Sequence, residues 1–172
     1  MPNTFELIAS STVGAGGTVN ISFTSIPQTF TDLCLKLSTR SAGTGGNAVA
    51  NLMVQFNGSF ASFTGRGLGG NGSITYSSTY TLPNVILTDT TTATANTFSN
   101  SELYIPNYTG SNNKSFSVDN VIENNATASW VELDAGLFET SSAVTSITIL
   151  DYSIGNNIAQ HSTAYLYGVK NA

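Results

Sequence analysis

Val19-Asn20-Ile21-Ser22-Phe23-Thr24 and, after a short break, Asp32-Leu33-Cys34-Leu35-Lys36-Leu37 decide the fold class of this chain. In each run apolar residues recur at every second position. Period two is the pattern of a strand with one face toward a core, whereas a helix repeats near 3.6. The same alternation returns at Leu52/Val54/Phe56, Leu103/Ile105, Phe116/Val118, Val131/Leu133/Ala135, Ile147/Ile149 and Tyr165/Tyr167/Val169. No segment carries helical periodicity. The expected core is Val19, Ile21, Phe23, Leu33, Leu35, Leu37, Val54, Phe56, Val131, Leu133, Ile147 and Ile149. Burying a dozen such side chains at about 1.5–3 kcal/mol each supplies an ordinary folding term.

Between the strands lie Ala15-Gly16-Gly17, Gly43-Thr44-Gly45-Gly46-Asn47, Asn57-Gly58 and Gly110-Ser111-Asn112-Asn113. Gly and Asn tolerate positive φ and so suit turns. Asn57-Gly58 reads as a hairpin of type I′. Many short strands with such turns and no helix imply an all-β fold: one domain over residues 1–172, an antiparallel two-sheet sandwich of jelly-roll type. An immunoglobulin-like sandwich fits less well, because Cys34 has no second cysteine to pair with and the chain is long for that fold. Residues 65–73 (glycine-rich) and 88–97 (Thr/Ala-rich) read as long loops.

Composition narrows the function. Ser, Thr, Asn and Gly make up 80 of 172 residues, and only 9% are charged. The five bases (Lys36, Arg40, Arg66, Lys114, Lys170) are scattered, so no basic stripe can follow a phosphate backbone and nucleic acid is not an expected partner. No apolar run approaches the length of a membrane span, and the first residues lack the basic and apolar regions of a secretion signal. Cys34 reads as a small, half-buried strand residue. One Cys and one His make a zinc site implausible, and no cofactor is expected.

Chemical motifs are few. Gly65-Arg66-Gly67-Leu68-Gly69-Gly70 matches GxGxxG, but Ser73-Ile74-Thr75-Tyr76 follows where a helix is required. His161, the only imidazole, has no GxSxG serine to serve, and the chain is read as no enzyme. Oxygen donors at Asp119-Asn120, Glu123-Asn124-Asn125 and Asp151/Asn156/Asn157 lack the spacing of a calcium loop. Glu132 and Asp134 share a face of one strand. They read as solvated carboxylates, with a glycoside hydrolase as the catalytic alternative.

If Leu103/Ile105 and Val131/Leu133 point inward, Tyr104 faces out beside Glu102, and Trp130 shares the outer face with Glu132 and Asp134. These residues, with Tyr165 and Tyr167, are the candidate interface. An exposed Trp or Tyr serves a protein contact or a sugar platform, and loops covering the outer face would bury the same rings with no functional role. Segments 1–12 and 160–172 are candidate contacts as end strands at sheet edges.

Certain phrases, in order, carry a resemblance: Ile21-Ser22-Phe23-Thr24-Ser25-Ile26-Pro27-Gln28-Thr29-Phe30-Thr31-Asp32-Leu33, Phe56-Asn57-Gly58, Ile105-Pro106-Asn107-Tyr108-Thr109-Gly110-Ser111-Asn112-Asn113-Lys114-Ser115-Phe116, and Ala164-Tyr165-Leu166-Tyr167-Gly168-Val169. Together they resemble small virion structural proteins of tailed bacteriophages. The resemblance implies a jelly-roll capsid decoration, or cement, protein. Such a protein would be made in the host cytoplasm, form a trimer and bind the major capsid protein on the outer surface of the virion. It brings no catalytic residues. The alternative is a host-surface polysaccharide-binding module of a phage tail fibre or spike.

Overall fold

The alternating runs become strands in the computed structural model, which describes residues 4–44, 48–125, 129–153 and 155–170. Among the described residues twelve strands follow one another: β1 (Phe5–Thr12), β2 (Asn20–Phe23), β3 (Asp32–Thr39), β4 (Val49–Phe56), β5 (Phe63–Gly70), β6 (Thr75–Tyr80), β7 (Ile86–Asp89), β8 (Ser99–Ile105), β9 (Lys114–Ile122), β10 (Trp130–Phe138), β11 (Ile147–Asp151) and β12 (Thr163–Val169). The described residues contain no α-helix. Two sheets, antiparallel throughout, pack into a sandwich. The large sheet runs β1-β12-β3-β8-β9-β10-β5-β6 and the small one β2-β11-β4-β7.

Four pairings nest. First strand meets last in β1–β12, and inside it come β2–β11, β3–β8 and β4–β7. This is the pairing of one long antiparallel hairpin wrapped into two four-stranded sheets. The remaining strands β9, β10, β5 and β6 extend the large sheet from β8.

The core fills the space between the sheets. Ile21, Phe23, Leu33, Leu35, Leu37, Val54, Phe56, Ile147 and Ile149 are buried there, as their alternation requires. At one end four phenylalanines cluster: Phe56 meets Phe63, Phe116 and Phe138 at 5.4–5.6 Å between centroids, and Phe63 stacks on Phe138 at 4.7 Å. Offset and edge-on contacts of this kind add to area burial. Gly136 makes the cluster fit, because a Cβ there would lie 2.0 Å from the Phe116 ring.

Several expectations are corrected. Val19 lies just before β2 and is 65% exposed, so it is not core. Strand β10 is turned over: Val131 (62%) and Leu133 (54%) face solvent, while Glu132 and Asp134 are buried. The inward end of this strand is fixed by Phe138, and every second residue back from it (Gly136, Asp134, Glu132, Trp130) must share its face. The glycine-rich stretch from 65 to 70 is strand β5, not a loop, paired on both sides. Asn57 and Gly58 do have positive φ, and Ser59 N donates to Phe56 O at 3.0 Å. That turn carries the chain from the small sheet to the large one and so makes no hairpin. Of the Thr/Ala tract, Thr88 and Asp89 belong to β7 and the remainder is loop. Strand β1 is an edge as expected, whereas β12 is enclosed between β1 and β3. Residues 1–3, 171 and 172 of the terminal segments, and Gly45, Gly46 and Asn47 of one expected turn, lie outside the described residues. Cys34 is fully buried, not half-buried, between Tyr167 and Tyr104 in register. Burial, and secondarily the Glu102 charge, push its thiol up to about 12.

Candidate functional site

Because β10 is turned over, the six candidate residues divide between two opposite faces of the large sheet. Trp130, Glu132 and Asp134 face inward, toward the small sheet. Tyr104, Tyr165 and Tyr167 face outward, opposite the buried neighbours Leu103, Ile105, Ala164 and Leu166.

The inward group builds a cleft. Strand β5 places Gly69 opposite Glu132 and Gly67 opposite Asp134, and β6 lies beyond it. With no side chains on β5 at these two points, Tyr76 and Tyr80 of β6 lean across it. A Cβ on Gly67 would lie 2.5 Å from Asp134 Oδ1, 2.6 Å from the Tyr80 hydroxyl and 2.8 Å from Glu132 Oε1. Gly67 and Gly69 therefore make room for side chains from the neighbouring strands, and the GxGxxG stretch is a strand instead of a phosphate-binding loop. Trp130 meets Tyr76 edge-on at 5.5 Å. Val49, Asn51, Asn84 and Leu87 close the small-sheet side and Ile74 the rim, leaving an open cleft of about 480 Å³.

The carboxylates differ in access. Glu132 lines the cleft and accepts a short hydrogen bond from the Tyr80 hydroxyl. Asp134 lies deeper and is 1% exposed. Its Oδ2 accepts from Asn120 Nδ2 at 3.1 Å, and its Oδ1 has no partner among the described residues. Asn120 is itself pinned: its Oδ1 accepts from Leu87 N and Ser101 Oγ, and its Nδ2 also donates to Val85 O. Burial, then the Glu132 charge, push the Asp134 carboxyl up to about 7. Burial and Glu132 also raise the Tyr76 and Tyr80 hydroxyls well above the usual phenol range. The indole Nε1 of Trp130 is buried with no partner among the described residues. A glycosidase pair must flank a substrate bond from two accessible carboxyls. Here one carboxyl sits behind the other, so the geometry does not support that alternative.

The outward face is broad and shallow. Val121 pairs with Val131 across β9 and β10, and Leu133 pairs with Leu68 across β10 and β5. All four are exposed, and together they form one apolar ladder. Beside it Lys36, Asn100, Glu102, Asp119 and Val121 line a polar hollow of about 360 Å³ crossed by the Lys36–Glu102 ion pair at 2.7 Å. Tyr104 donates to Asp32 Oδ2 at 2.6 Å, which raises its hydroxyl to about 12. Tyr165 is exposed, and Tyr167 meets Phe5 edge-on at 6.4 Å. On the free edge of the sheet Phe5 and Leu7 are exposed as well.

The other candidates assemble nothing. Asp119 and Asn120 point to opposite faces, and Asp151 accepts from Ser41 Oγ and Ser153 N. No group of three or more His, Cys, Asp or Glu positioned for a metal occurs among the described residues. His161 is exposed, with positive φ, between β11 and β12. Sequence reading missed Tyr76 and Tyr80, and took Asn120 for an oxygen donor and the glycines of β5 for a loop. Their signal was period two in Gly65-x-Gly67-x-Gly69 and Tyr76-x-Ser78-x-Tyr80. Comparison with protein families, curated proteins and solved structures gives no match to the chain.

Proposed function

We propose that this chain is a structural virion protein that decorates and stabilises a bacteriophage capsid, binding the major capsid protein on the outer surface as a trimer. The observation that carries the reading is the exposed apolar ladder Leu68/Val121/Val131/Leu133 on the outward face of an eight-stranded sheet. Contiguous apolar surface rimmed by polar residues marks protein contact. Tyr165 and the Phe5/Leu7 edge extend the same face toward β1. The nested strand pairing supports the jelly-roll type, and the resemblance to phage virion proteins supplies the partner. Low charge suits the role, since desolvating Lys and Glu in an interface core is costly. A trimer repeats each contact three times, so weak interfaces add through multivalency.

Light scattering of the purified chain, followed by co-sedimentation with shells of the major capsid protein of the same phage, tests this. A trimer that pellets with shells, and loses that property when Leu133 and Val131 are both replaced by Lys, is the expected result. A monomer that stays in the supernatant, or a purified virion whose protein inventory lacks the chain, overturns it.

A further inference from the structure

The inward cleft is not used by that reading, and its contents are unusual for a sandwich interior. Three aromatic residues, Trp130, Tyr76 and Tyr80, line it with Glu132. Glu132 is 5% exposed and Asp134 lies directly behind it, yet no cation among the described residues pairs with either. All five bases are engaged or placed elsewhere. Lys36 and Lys170 pair with Glu102 and Glu6. Arg40 donates to the carbonyls of Ala93, Thr94 and Thr97, and Lys114 to those of Gly110 and Asn112. Arg66 is on the outward face of β5, bonded to Gly65 O.

A buried carboxylate without a counter-charge is costly, and it is retained where something supplies the missing partner. The unpartnered Oδ1 of Asp134 points the same way, since it stands beside the Tyr80 hydroxyl and Glu132 Oε1 over Gly67. Aromatic rings carry negative charge on their faces and attract cations within about 6 Å of the ring centroid. Aromatic walls, the Glu132 carboxyl group and apolar groups at Val49, Ile74 and Leu87 together favour a cation with a poorly hydrated, alkylated surface.

We propose that the cleft binds a methylated ammonium group, seated against Trp130, Tyr76 and Tyr80 with Glu132 as its counter-charge. The ligand is a small molecule of the choline type, and the cleft of about 480 Å³ accommodates such a head with a short substituent. Binding adds positive charge beside Asp134 and favours its ionised form. The groups facing Asp134 are Glu132 on its own strand, Tyr76 and Tyr80 from β6 and Asn120 from β9. Affinity therefore rises as pH passes upward through about 7.

Trp130 is the chain's only tryptophan, so its fluorescence reports the cleft directly. The wild-type chain is titrated at pH 8 with choline, tetramethylammonium, the uncharged isostere 3,3-dimethylbutanol, and glucose. The expected result is a saturable change with the two cations only, weakened about tenfold or more in Glu132→Gln, the loss of one strong charged contact. Phosphatidylcholine vesicles form a further arm: matching affinity assigns the group to a lipid headgroup, and weaker binding assigns it to a free compound. Equal response to the uncharged isostere, or saturation by glucose without a response to the cations, overturns the proposal. The glucose outcome would favour polysaccharide recognition. The comparison of choline with its isostere uses the unaltered chain, so it decides even if Glu132→Gln does not fold. Capsid binding reads a different face, and failure of either proposal leaves the other standing.

Discussion

The two ends of β10 face the same space, on the same side of the same sheet, and hold opposite chemistry. At one end Phe138 joins Phe56, Phe63 and Phe116 in a closed aromatic cluster. At the other, Trp130, Glu132 and Asp134 stand over glycines that β5 leaves bare. Each end also buries an ionisable group. Lys114, opposite Phe138 in register, gives its ammonium to the carbonyls of Gly110 and Asn112. Asp134 keeps an oxygen with no partner. The first end satisfies its polar groups and excludes water, which is what a stabilising core does. The second leaves a buried carboxyl oxygen without a partner beside an opening, which stability alone does not explain. The difference locates the folding energy of the strand at Phe138 and its functional interest at Glu132.

Replacement of Phe56 by Ala breaks the comparison from the stable side. Its ring touches all three other phenylalanines, so the change leaves a cavity that the surrounding sheets cannot close. The expected loss is about 3–5 kcal/mol, measured by urea unfolding.

Asp134→Asn sharpens the comparison from the other side. In the folded chain Asp134 holds its proton up to about pH 7, against an ordinary value of 3.8. Between those values folding takes up a proton, so the stability from this group is present at low pH and falls as pH rises toward 7. The full window corresponds to about 4 kcal/mol. Asn resembles the protonated acid and does not titrate. The variant is expected to match the parent near pH 4 and to be more stable by about that amount at pH 8. Denaturant midpoints at the two pH values check this, and an unchanged pH slope would show that another group carries it.

How far the sequence could be read follows the same division. In β2 and β3 one parity is apolar and the other mostly polar, so alternation alone assigns the faces of Ile21 and Leu35 correctly. In β10 both parities carry bulky residues. Val131 and Leu133 outrank Glu132 and Asp134 by hydropathy, and only Phe138 at the far end reveals the true face. The glycines of β5 hid the strand altogether, because hydropathy scores the residue itself and not the neighbour that leans over it. The cleft was illegible for that reason: its floor is made of absent side chains. Tyr104 was legible as an outward residue, since Leu103 and Ile105 claim the inner face of β8.

Gly67→Ala makes that floor visible. The added methyl would press on Asp134, Tyr80 and Glu132 at once, and at least one must move. A smaller cost than Phe56→Ala is expected, about 1–2 kcal/mol, because side-chain ends yield more easily than a lost ring is replaced and Ala is the better residue in a strand. The cleft should respond more than the fold. A shifted Trp130 emission with a nearly normal unfolding midpoint is the expected signature.

The smallest effect belongs to the ion pair on the outward face. Lys36 and Glu102 meet at 2.7 Å across β3 and β8, with side chains 52% and 40% exposed. Water screens such a pair, and holding two long side chains in place costs entropy, so Lys36→Ala should change stability by less than about 1 kcal/mol. It is a closer contact than the 3.1 Å bond from Asn120 to Asp134, yet its removal should matter least. Burial, and not the distance between charges, sets the energy scale. Should Lys36→Ala leave unfolding unchanged while weakening co-sedimentation with capsid shells, the exposed pair would be a docking contact, as expected of a charge beside the apolar ladder. If both readouts stay at parent values, the proposed docking surface narrows to Leu68, Val121, Val131 and Leu133.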